Sequence, residues 1–415
     1  MKILMVNHYA LPPSQAGGTR HYSLAKGLIA RGHDVIIVAS GFDHDSRKGR
    51  LDPDEPFRRE VLEGVPFLWL NTPPYRGNGA ARLWNMVAFS RALKRHGLAR
   101  SWARPDIILG SSPHPFGAVT ALRMAQRLGL PFVLEIRDVW PQSLVDVMGI
   151  SRHHPLIWVL ARLERELYRG ADHIVTLLPT VGGRVAKRGG DPNRITWISN
   201  GVDLDLVPPP SPPPVRDTFT FIYPGMMGVT NALDVMIDAA ALLQAREASL
   251  AKRLDLVFLG QGPEKARLQE RAAAAGLRNV RFLEPVPKRE VYEVLAGADA
   301  FWCSSHATAL WEHGISFNKL FDFMAMARPT VIGLDAPNNP IAEARAGMVV
   351  APGNAEALAA GVEQMLQLSD RARWEMGLRG AEYVESHFNS RDLAGVMETA
   401  LRKAQINRFG SAYAS

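Results

Sequence analysis

The chain has 415 residues, 47% of them hydrophobic, enough apolar material for two domains of ordinary size, each with its own core. Its 48 Lys and Arg against 41 Asp and Glu leave a net charge of +7, a balance that invites phosphates, nucleic acid or an anionic membrane as partners. A single cysteine, Cys303, excludes an intramolecular disulfide framework and suits a reducing compartment, and the lack of any apolar run of roughly 18 residues excludes a membrane-spanning helix.

Lys2 to His8 reads as a first strand rather than a signal peptide, because its apolar run gives way at once to polar residues and prolines. Val35 to Ala39 is a second strand, and the amphipathic stretch from Thr19 to Arg31 between them makes a βαβ opening with Thr19 as N-cap. Gly17 and Gly18, just before that cap, allow a backbone to approach a ligand closely, or form a plain turn; they come too late and too isolated for a dinucleotide fingerprint. Residues 76–104 interleave Leu83, Trp84, Met86, Val87, Phe89 and Leu93 with Arg82, Arg91, Lys94, Arg95, Arg100 and Arg104, and contain no acid. Two readings stand: a core-packed helix with a solvated basic face, or a helix on an anionic membrane surface.

Strands at 106–109 and 132–136 bracket a helix at 118–128 and continue the parallel pattern. The second strand runs into EIRDVWP, placing Glu135, Arg137, Asp138 and Trp140 at the carboxyl end of a buried strand, where open α/β sheets bind ligands. The plain structural alternative is an internal ion pair between Arg137 and a carboxylate. A helix at 155–168, a strand at 171–175 and RITWISNGVDLDLV follow, then six prolines within residues 208–214. Such a run cannot form helix or central strand and marks a boundary, with domains at 1–206 and 217–388 around a linker at 207–216.

The second half opens with strand, glycine loop and helix, where Gly225 and Gly228 could bring backbone amides to a phosphate. Gln261-Gly262-Pro263 repeats the pattern with Pro263 at a first helical position, its glycines read as structural, and Cys303 follows a strand as an inert core thiol. The stretch 312–333, EHGISFNKLFDFMAMARPTVIG, then carries the most chemistry. Ser316 is the expected N-cap of a helix over 317–327, with the amides of its first turn open to an anion. Lys319 is badly placed for the helix dipole but well placed for a phosphate, and Asp322, three residues on, shares its face.

These residues resemble the donor-site motif of family-four glycosyltransferases, with Phe317, Asn318 and Lys319 as the opening tripeptide, then Asp322 to Ala325, then Arg328 to Ile332. EIRDVWP and Asn200 to Asp203 are similar to further elements of that family, in the branch that includes O-antigen N-acetylfucosamine transferases. The resemblance implies an α/β chain of two doubly wound parallel-sheet (Rossmann-like) domains facing across a cleft (GT-B), with a last helix, 389–415, crossing back to the first domain. It implies that Gly17 and Gly18 face the donor, that Val286 lies where the base is held, that Lys319 meets the diphosphate and that Asp322 meets the ribose. The sequence departs from the pattern in two places. Gly314 stands where the first acid of a Glu-x7-Glu pair is expected, with Glu312 two residues away, and Met226, Met227 and Asn231 replace an Arg and a Lys in the glycine loop, leaving more of the neutralisation to Lys319.

The expected function is therefore a retaining, metal-independent transfer of a hexosyl or N-acetylhexosaminyl group from a nucleotide sugar, expected to be UDP-linked, to a polyprenyl diphosphate-linked or saccharide acceptor in surface polysaccharide synthesis. Catalytic expectations fall on Asp138 first, then Arg137 and Glu135, and acceptor or membrane contact on Arg82, Trp84, Arg91, Lys94 and Arg95. No cofactor, metal ligand set, DxD motif or Walker loop is read, and nucleic acid is not an expected partner. The expected location is cytoplasmic, peripheral on the inner membrane face. The alternatives are a nucleotide-sugar epimerase of the same fold, which needs no lipid acceptor, and a non-enzymatic membrane or nucleic-acid binder, which leaves Lys319 and Asp322 unexplained.

Overall fold

Contiguous apolar runs rather than alternating ones mark strands covered on both faces, and KILMV, DVIIVAS and FVLEI are runs of this kind. In the computed structural model they build parallel sheets in two units; every residue is described except 16, 45, 78, 99–103, 143, 146–148, 309–310 and 411–415, and the side chains at 248 and 251. The first unit comprises Met1–Pro13, Gly17–Asn200 and the chain from Ser390 onward. Its elements are β1 (Lys2–Val6), α1 (Arg20–Ala30), β2 (Asp34–Ser40), β3 (Phe57–Leu62), β4 (Val65–Leu70), α2 (Ala80–His96), β5 (Ile107–Ser111), α3 (Pro115–Leu128), β6 (Phe132–Ile136), α4 (Pro155–Gly170), β7 (His173–Thr176), α5 (Gly182–Lys187) and β8 (Ile195–Trp197). The sheet runs β3-β4-β2-β1-β5-β6-β7-β8, and β3 pairs antiparallel with β4. That hairpin turns at Glu63 (φ 49°) and Gly64 (φ 83°), a two-residue turn of the hand that matches strand twist.

The second unit holds the chain from Gly201 to Asn389. It contains β9 (Phe219–Pro224), α6 (Leu233–Arg246), α7 (Ala248–Arg253), β10 (Leu254–Leu259), α8 (Lys265–Ala274), β11 (Val280–Leu283), α9 (Lys288–Ala296), β12 (Ala300–Ser304), α10 (Asn318–Ala325), β13 (Thr330–Gly333), α11 (Pro340–Glu343), β14 (Gly347–Val350), α12 (Ala355–Gln367) and α13 (Asp370–His387). Its sheet is parallel in the order β11-β10-β9-β12-β13-β14. The last helix, α14 (Ser390–Phe409), returns to the first unit and buries Leu393, Ala394, Met397 and Leu401 with Leu24 and Leu28 of α1.

Several local expectations change. Thr19 makes no side-chain cap at α1, and α10 begins at Asn318 behind Phe317, so Ser316 is not its N-cap. Pro263 precedes α8 by two residues instead of opening it. The units divide at Asn200 and Gly201, ahead of the prolines, because Val202 donates its N–H to the Phe388 carbonyl (2.9 Å). The proline run is itself anchored to the second unit: buried Arg328 donates to the Ser211 carbonyl and to that of Ala298, both at 2.7 Å.

One topological fact places the candidate sites. In each sheet the chain starts in the middle, at β1 or β9, builds outward on one side, then crosses to the other at β5 or β12. The crevice at the carboxyl ends of β1 and β5, and of β9 and β12, is the switch point at which doubly wound sheets bind ligands.

Candidate functional site

At the switch point of the first unit, Glu135 ends β6 fully buried, and its carboxylate is compensated there. It accepts from Arg20 Nε (2.8 Å), His21 Nε2 (2.7 Å) and Ser111 Oγ (2.6 Å). Burial alone would raise its pKa, but His21 and Arg20 hold it well below the usual carboxylate range. With Arg20 balancing the charge, His21 serves as a neutral imidazole, its own pKa lowered by burial. Its Nδ1 then accepts from Asn7 Nδ2 (2.7 Å), and Asn7 Oδ1 accepts the Tyr9 N–H (2.9 Å). Arg20 also donates to the carbonyls of Ile198 (2.8 Å) and Ser199. One carboxylate thus ties α1 to the ends of β1, β5 and β6 and to the segment after β8. The expectation that Glu135 pairs with Arg137 or joins the chemistry is corrected: it pairs with Arg20 and His21, with no face open to substrate.

In front of that network, His8 after β1 and His114 after β5 meet through Nδ1 and Nε2 at 2.9 Å, both buried. Burial lowers the pKa of His114 to about 3 and that of His8 well below its usual value, and Arg82 pushes both the same way. His44, which meets Tyr75 Oη at 2.6 Å, is lowered to about 4 by burial and then Arg82. Arg82 of α2 is half-buried over the Tyr9 ring, 5.9 Å from its centroid, so it belongs to this inner cluster rather than to a membrane face. Asp138 is itself exposed. Desolvation by the surrounding protein raises its pKa against the pull of Arg137 and Arg82. Arg137 beside it is half-buried. Gly17 has φ 139°, a backbone that favours glycine, and both it and Gly18 reach solvent.

At the second switch point Lys319, in the first turn of α10, directs Nζ to Asn231 Oδ1 (2.7 Å) and Tyr223 Oη (3.2 Å), with the Tyr223 ring 4.6 Å and the Phe317 ring 5.5 Å away. These partners are neutral, and desolvation lowers the lysine to about 8. Buried Cys303 beneath it is pushed up to about 11, as an inert core thiol should be. The loop before Lys319 is clamped by Asn338, which accepts the Ile315 N–H and donates to its carbonyl, both at 2.8 Å, while Trp311 packs edge-on against Phe317. Asn318 is half-buried at the helix start, where no side chain caps the first turn.

The glycine loop acts differently from the expectation. The Gly225 amide donates to the Leu259 carbonyl (2.9 Å), so it is not free for a phosphate. The glycine is required by its φ of 149°, and a Cβ there would also press lightly on Tyr223 Oη, at 3.3 Å. Gly228, at φ −114°, has an ordinary backbone. Gly314 sits buried at φ 100°, where a side chain is strained, and Glu312 points outward, its side chain 64% exposed beside His313. Asp322 does not share a polar face with Lys319. It turns to α9, taking Lys288 Nζ at 2.5 Å and Tyr292 Oη at 2.9 Å, while Val286 lies half-buried just before that helix.

On α2 the apolar set is core: Met86, Phe89 and Leu93 are buried, as the plainer reading of this stretch expects. Trp84 remains 51% exposed with Arg91 4.8 Å over its ring, and Lys94 and Arg95 are exposed. Arg100 lies outside the described residues. Across α3, the neighbouring α4 exposes Trp158 (62%) and Val159 (52%) beside Arg162 and Arg165. No described helix is long and apolar enough to cross a membrane.

Arg20, His21, His8, His114 and Lys288 escaped the sequence reading. Each acts through partners far away in the chain, and only the histidines after β1 and β5 carried a signal, their place at strand ends.

Comparison with known proteins agrees with the architecture. The family described as glycosyl transferase 4-like domain matches residues 16–201, and glycosyl transferases group 1 matches residues 218–368. The chain is 23% identical to the putative colanic acid biosynthesis glycosyl transferase WcaI of Escherichia coli (strain K12), over 89% of this chain and 93% of that one. Among solved structures it is similar to a sucrose-phosphate synthase from Thermosynechococcus elongatus, with TM-score 0.74 and 15% identity over 97% and 98% of the two chains. It is also similar to HepE of Anabaena in complex with UDP and glucose, with TM-score 0.68 and 15% identity over 97% and 99%.

Proposed function

The chain belongs to the family-four glycosyltransferases, and on that premise we propose that it moves a sugar from a UDP-linked donor held by the second unit to a saccharide or polyprenyl diphosphate-linked acceptor held by the first, in surface polysaccharide synthesis. Family membership favours transfer over epimerisation or simple binding. The observation that supports the donor assignment most is Lys319, a desolvated ammonium at a switch point, held by neutral groups and lowered to about 8. A diphosphate is the missing counter-charge, and no side chain caps the first turn of α10, in which Lys319 lies. The UDP in the HepE complex supports the choice of nucleotide.

In a retaining transfer the bond from the anomeric carbon to the diphosphate oxygen breaks, its electron pair leaving on the phosphate. The acceptor oxygen bonds to the same face and passes its proton to the departing diphosphate oxygen. Lys319 and the α10 amides would stabilise the leaving charge. Asp138, with Arg137 and Arg82 beside it, would orient the acceptor hydroxyl or stabilise positive character at the anomeric carbon. Neither unit holds both sets, so neither alone should turn over. No metal is assigned to this chemistry.

For the acceptor side we propose a cytoplasmic protein peripheral on the inner membrane face. The support is the exposed cationic face of α2 with Trp84, joined across α3 by Trp158 and Val159 of α4.

Thermal shift against a panel of nucleotide sugars tests the donor reading. A ligand at one hundred times its Kd stabilises by about 2.7 kcal/mol, and UDP sugars should give the largest shift. Lys319→Ala should weaken UDP binding by about 1.5–3 kcal/mol, the scale of a charge-assisted contact. Binding as tight as in the parent would end the assignment.

A further inference from the structure

The body of the chain passes from the first unit to the second at Asn200–Gly201 and returns at Asn389–Ser390. On the second unit's side the two crossings are fastened to each other: Val202 donates its N–H to the Phe388 carbonyl at 2.9 Å and forms a parallel bridge with Asn389. On the first unit's side both are fastened to α1. Arg20, the first residue of that helix and only 6% exposed, donates from Nη2 to the Ile198 carbonyl (2.8 Å) and from Nη1 to that of Ser199, just ahead of the outward crossing. About two turns along the same helix, Gly27 faces the returning chain. A Cβ there would lie 2.5 Å from Ala394 Cβ and 3.6 Å from the Ser390 carbonyl oxygen, so α14 starts against bare backbone.

Charge alone does not explain Arg20. A cation in a first helical turn opposes the dipole, and burying it costs more. What it supplies is geometry. A guanidinium carries five donors in a rigid fork, enough to meet two carbonyls and Glu135 Oε1 (2.8 Å) at once, whereas an ammonium acts from a single point. Glu135 ends the same strand that leads into Asp138. One planar group therefore holds α1, the approach to Asp138 and the outward crossing in fixed relation. An ion pair by itself needs neither carbonyl.

We infer that α1 is the mount from which the second unit is carried, and that Arg20 is a positioning residue that sets where Asp138 stands with respect to that unit. Asp138 and Lys319 lie on different units, so their separation depends on the direction in which the two crossings leave α1. The consequence for transfer rests on the functional reading above, and the mounting itself does not.

Distance distributions between the units, measured by double electron–electron resonance on the full chain, test this. The one cysteine, Cys303, is buried, so the spin labels go on through Gln126→Cys in α3 and Ala274→Cys in α8, both at exposed positions. Arg20→Lys keeps a charge beside Glu135 but cannot span both carbonyls, and should broaden the distribution. Gly27→Ala leaves that network whole and should shift the mean, because the start of α14 has to move. Glu398→Gln loosens α14 at Arg31, away from both crossings, and should give the parent's distribution. A folded Arg20→Lys with the parent's distribution, however much less stable, would overturn the inference, and so would a Glu398→Gln distribution changed as much. Should Arg20→Lys not fold, Gly27→Ala decides, and an unmoved mean overturns the mount. UDP separates this from the donor reading: Arg20→Lys should bind it within about twofold of the parent. A parent that binds no UDP would sink the donor reading and leave the distance result standing.

Discussion

The two switch points have the same topology and opposite construction. In the first unit, the crevice between β1 and β5 is backed by a carboxylate already compensated, Glu135 with Arg20 and His21, and lined by histidines that burial keeps neutral. In the second, the crevice between β9 and β12 holds a cation whose partners are neutral. A site whose charges are internally settled can be rigid before any ligand arrives, whereas a site with an unsettled charge gains its last interaction from the ligand. The first suits a hydroxyl-bearing acceptor that must be positioned, and the second an anion that must be held and released.

The widest separation of the two should come from Glu135→Ala. Removing one partner of a buried ion pair costs about 3–5 kcal/mol because Arg20 is left uncompensated, so the first unit should unfold at markedly lower denaturant. UDP affinity, proposed to lie with the second unit, should stay within about twofold below that midpoint. A variant as stable as the parent would break the contrast, since the network would then be ornamental.

Asp138→Asn comes next. It keeps shape and removes charge, and should lower kcat by on the order of 10²-fold, as loss of one electrostatic contact to a transition state does, with donor affinity little changed. Unchanged kcat in a folded variant would take Asp138 out of the chemical step.

Titration sharpens the comparison further, because the units should fail at opposite ends of the pH scale. If Lys319 holds the donor phosphate it does so only as ammonium, and because desolvation lowers it to about 8, UDP affinity should fall above that pH, by up to about tenfold per unit. Lys319→Ala should lose the dependence along with the affinity. In the first unit the lowered values of His44, about 4, and His114, about 3, mean that below pH 6.5 the unfolded chain takes up protons that the fold refuses. Stability should therefore fall as pH drops from 6.5 toward 4, at a slope that His44→Gln makes shallower. A stability flat from pH 7 to 4 would mean that these histidines titrate normally.

The contrast also explains what the sequence made legible. The second switch point was readable because its parts are local: Phe317, Asn318 and Lys319 sit in one helix start, and the helix, strand and turn around them follow from short-range pattern. Even there, the direction of Asp322 was not readable, since it is set by Lys288, 34 residues away. The first switch point was readable only as charge at a strand end. Which cation meets Glu135 is decided by the packing of α1 against β6, 115 residues apart, and the nearer Arg137 was the natural wrong choice. The β3–β4 hairpin was missed for a different reason: REVLEGVPF lacks the Asn-Gly or Asp-Gly signal, and Glu63 takes the left-handed turn position in its place. The parallel pairing in both sheets, by contrast, followed from alternating strands and helices, and their doubly wound order came with the family resemblance.

The smallest effect concerns the outer face of the first unit, where the settled interior gives way to unpaired surface charge. If α2 meets a bilayer, it does so without an inserted apolar face, because Met86, Phe89 and Leu93 are spent on the core. Attraction must then come from Arg91, Lys94 and Arg95, with Trp84 and Trp158 resting at headgroup depth. That division of labour separates two variants. Lys94→Ala should weaken sedimentation with anionic vesicles by about 1 kcal/mol, roughly fivefold, and less at high salt, where the Debye length shrinks. Trp158→Ala should weaken it too, but by an amount that salt leaves alone, because the loss is of apolar contact. Equal binding of the parent to neutral and anionic vesicles, or none to either, would remove the electrostatic account, and an identical salt response in the two variants would remove the division between charge and tryptophan.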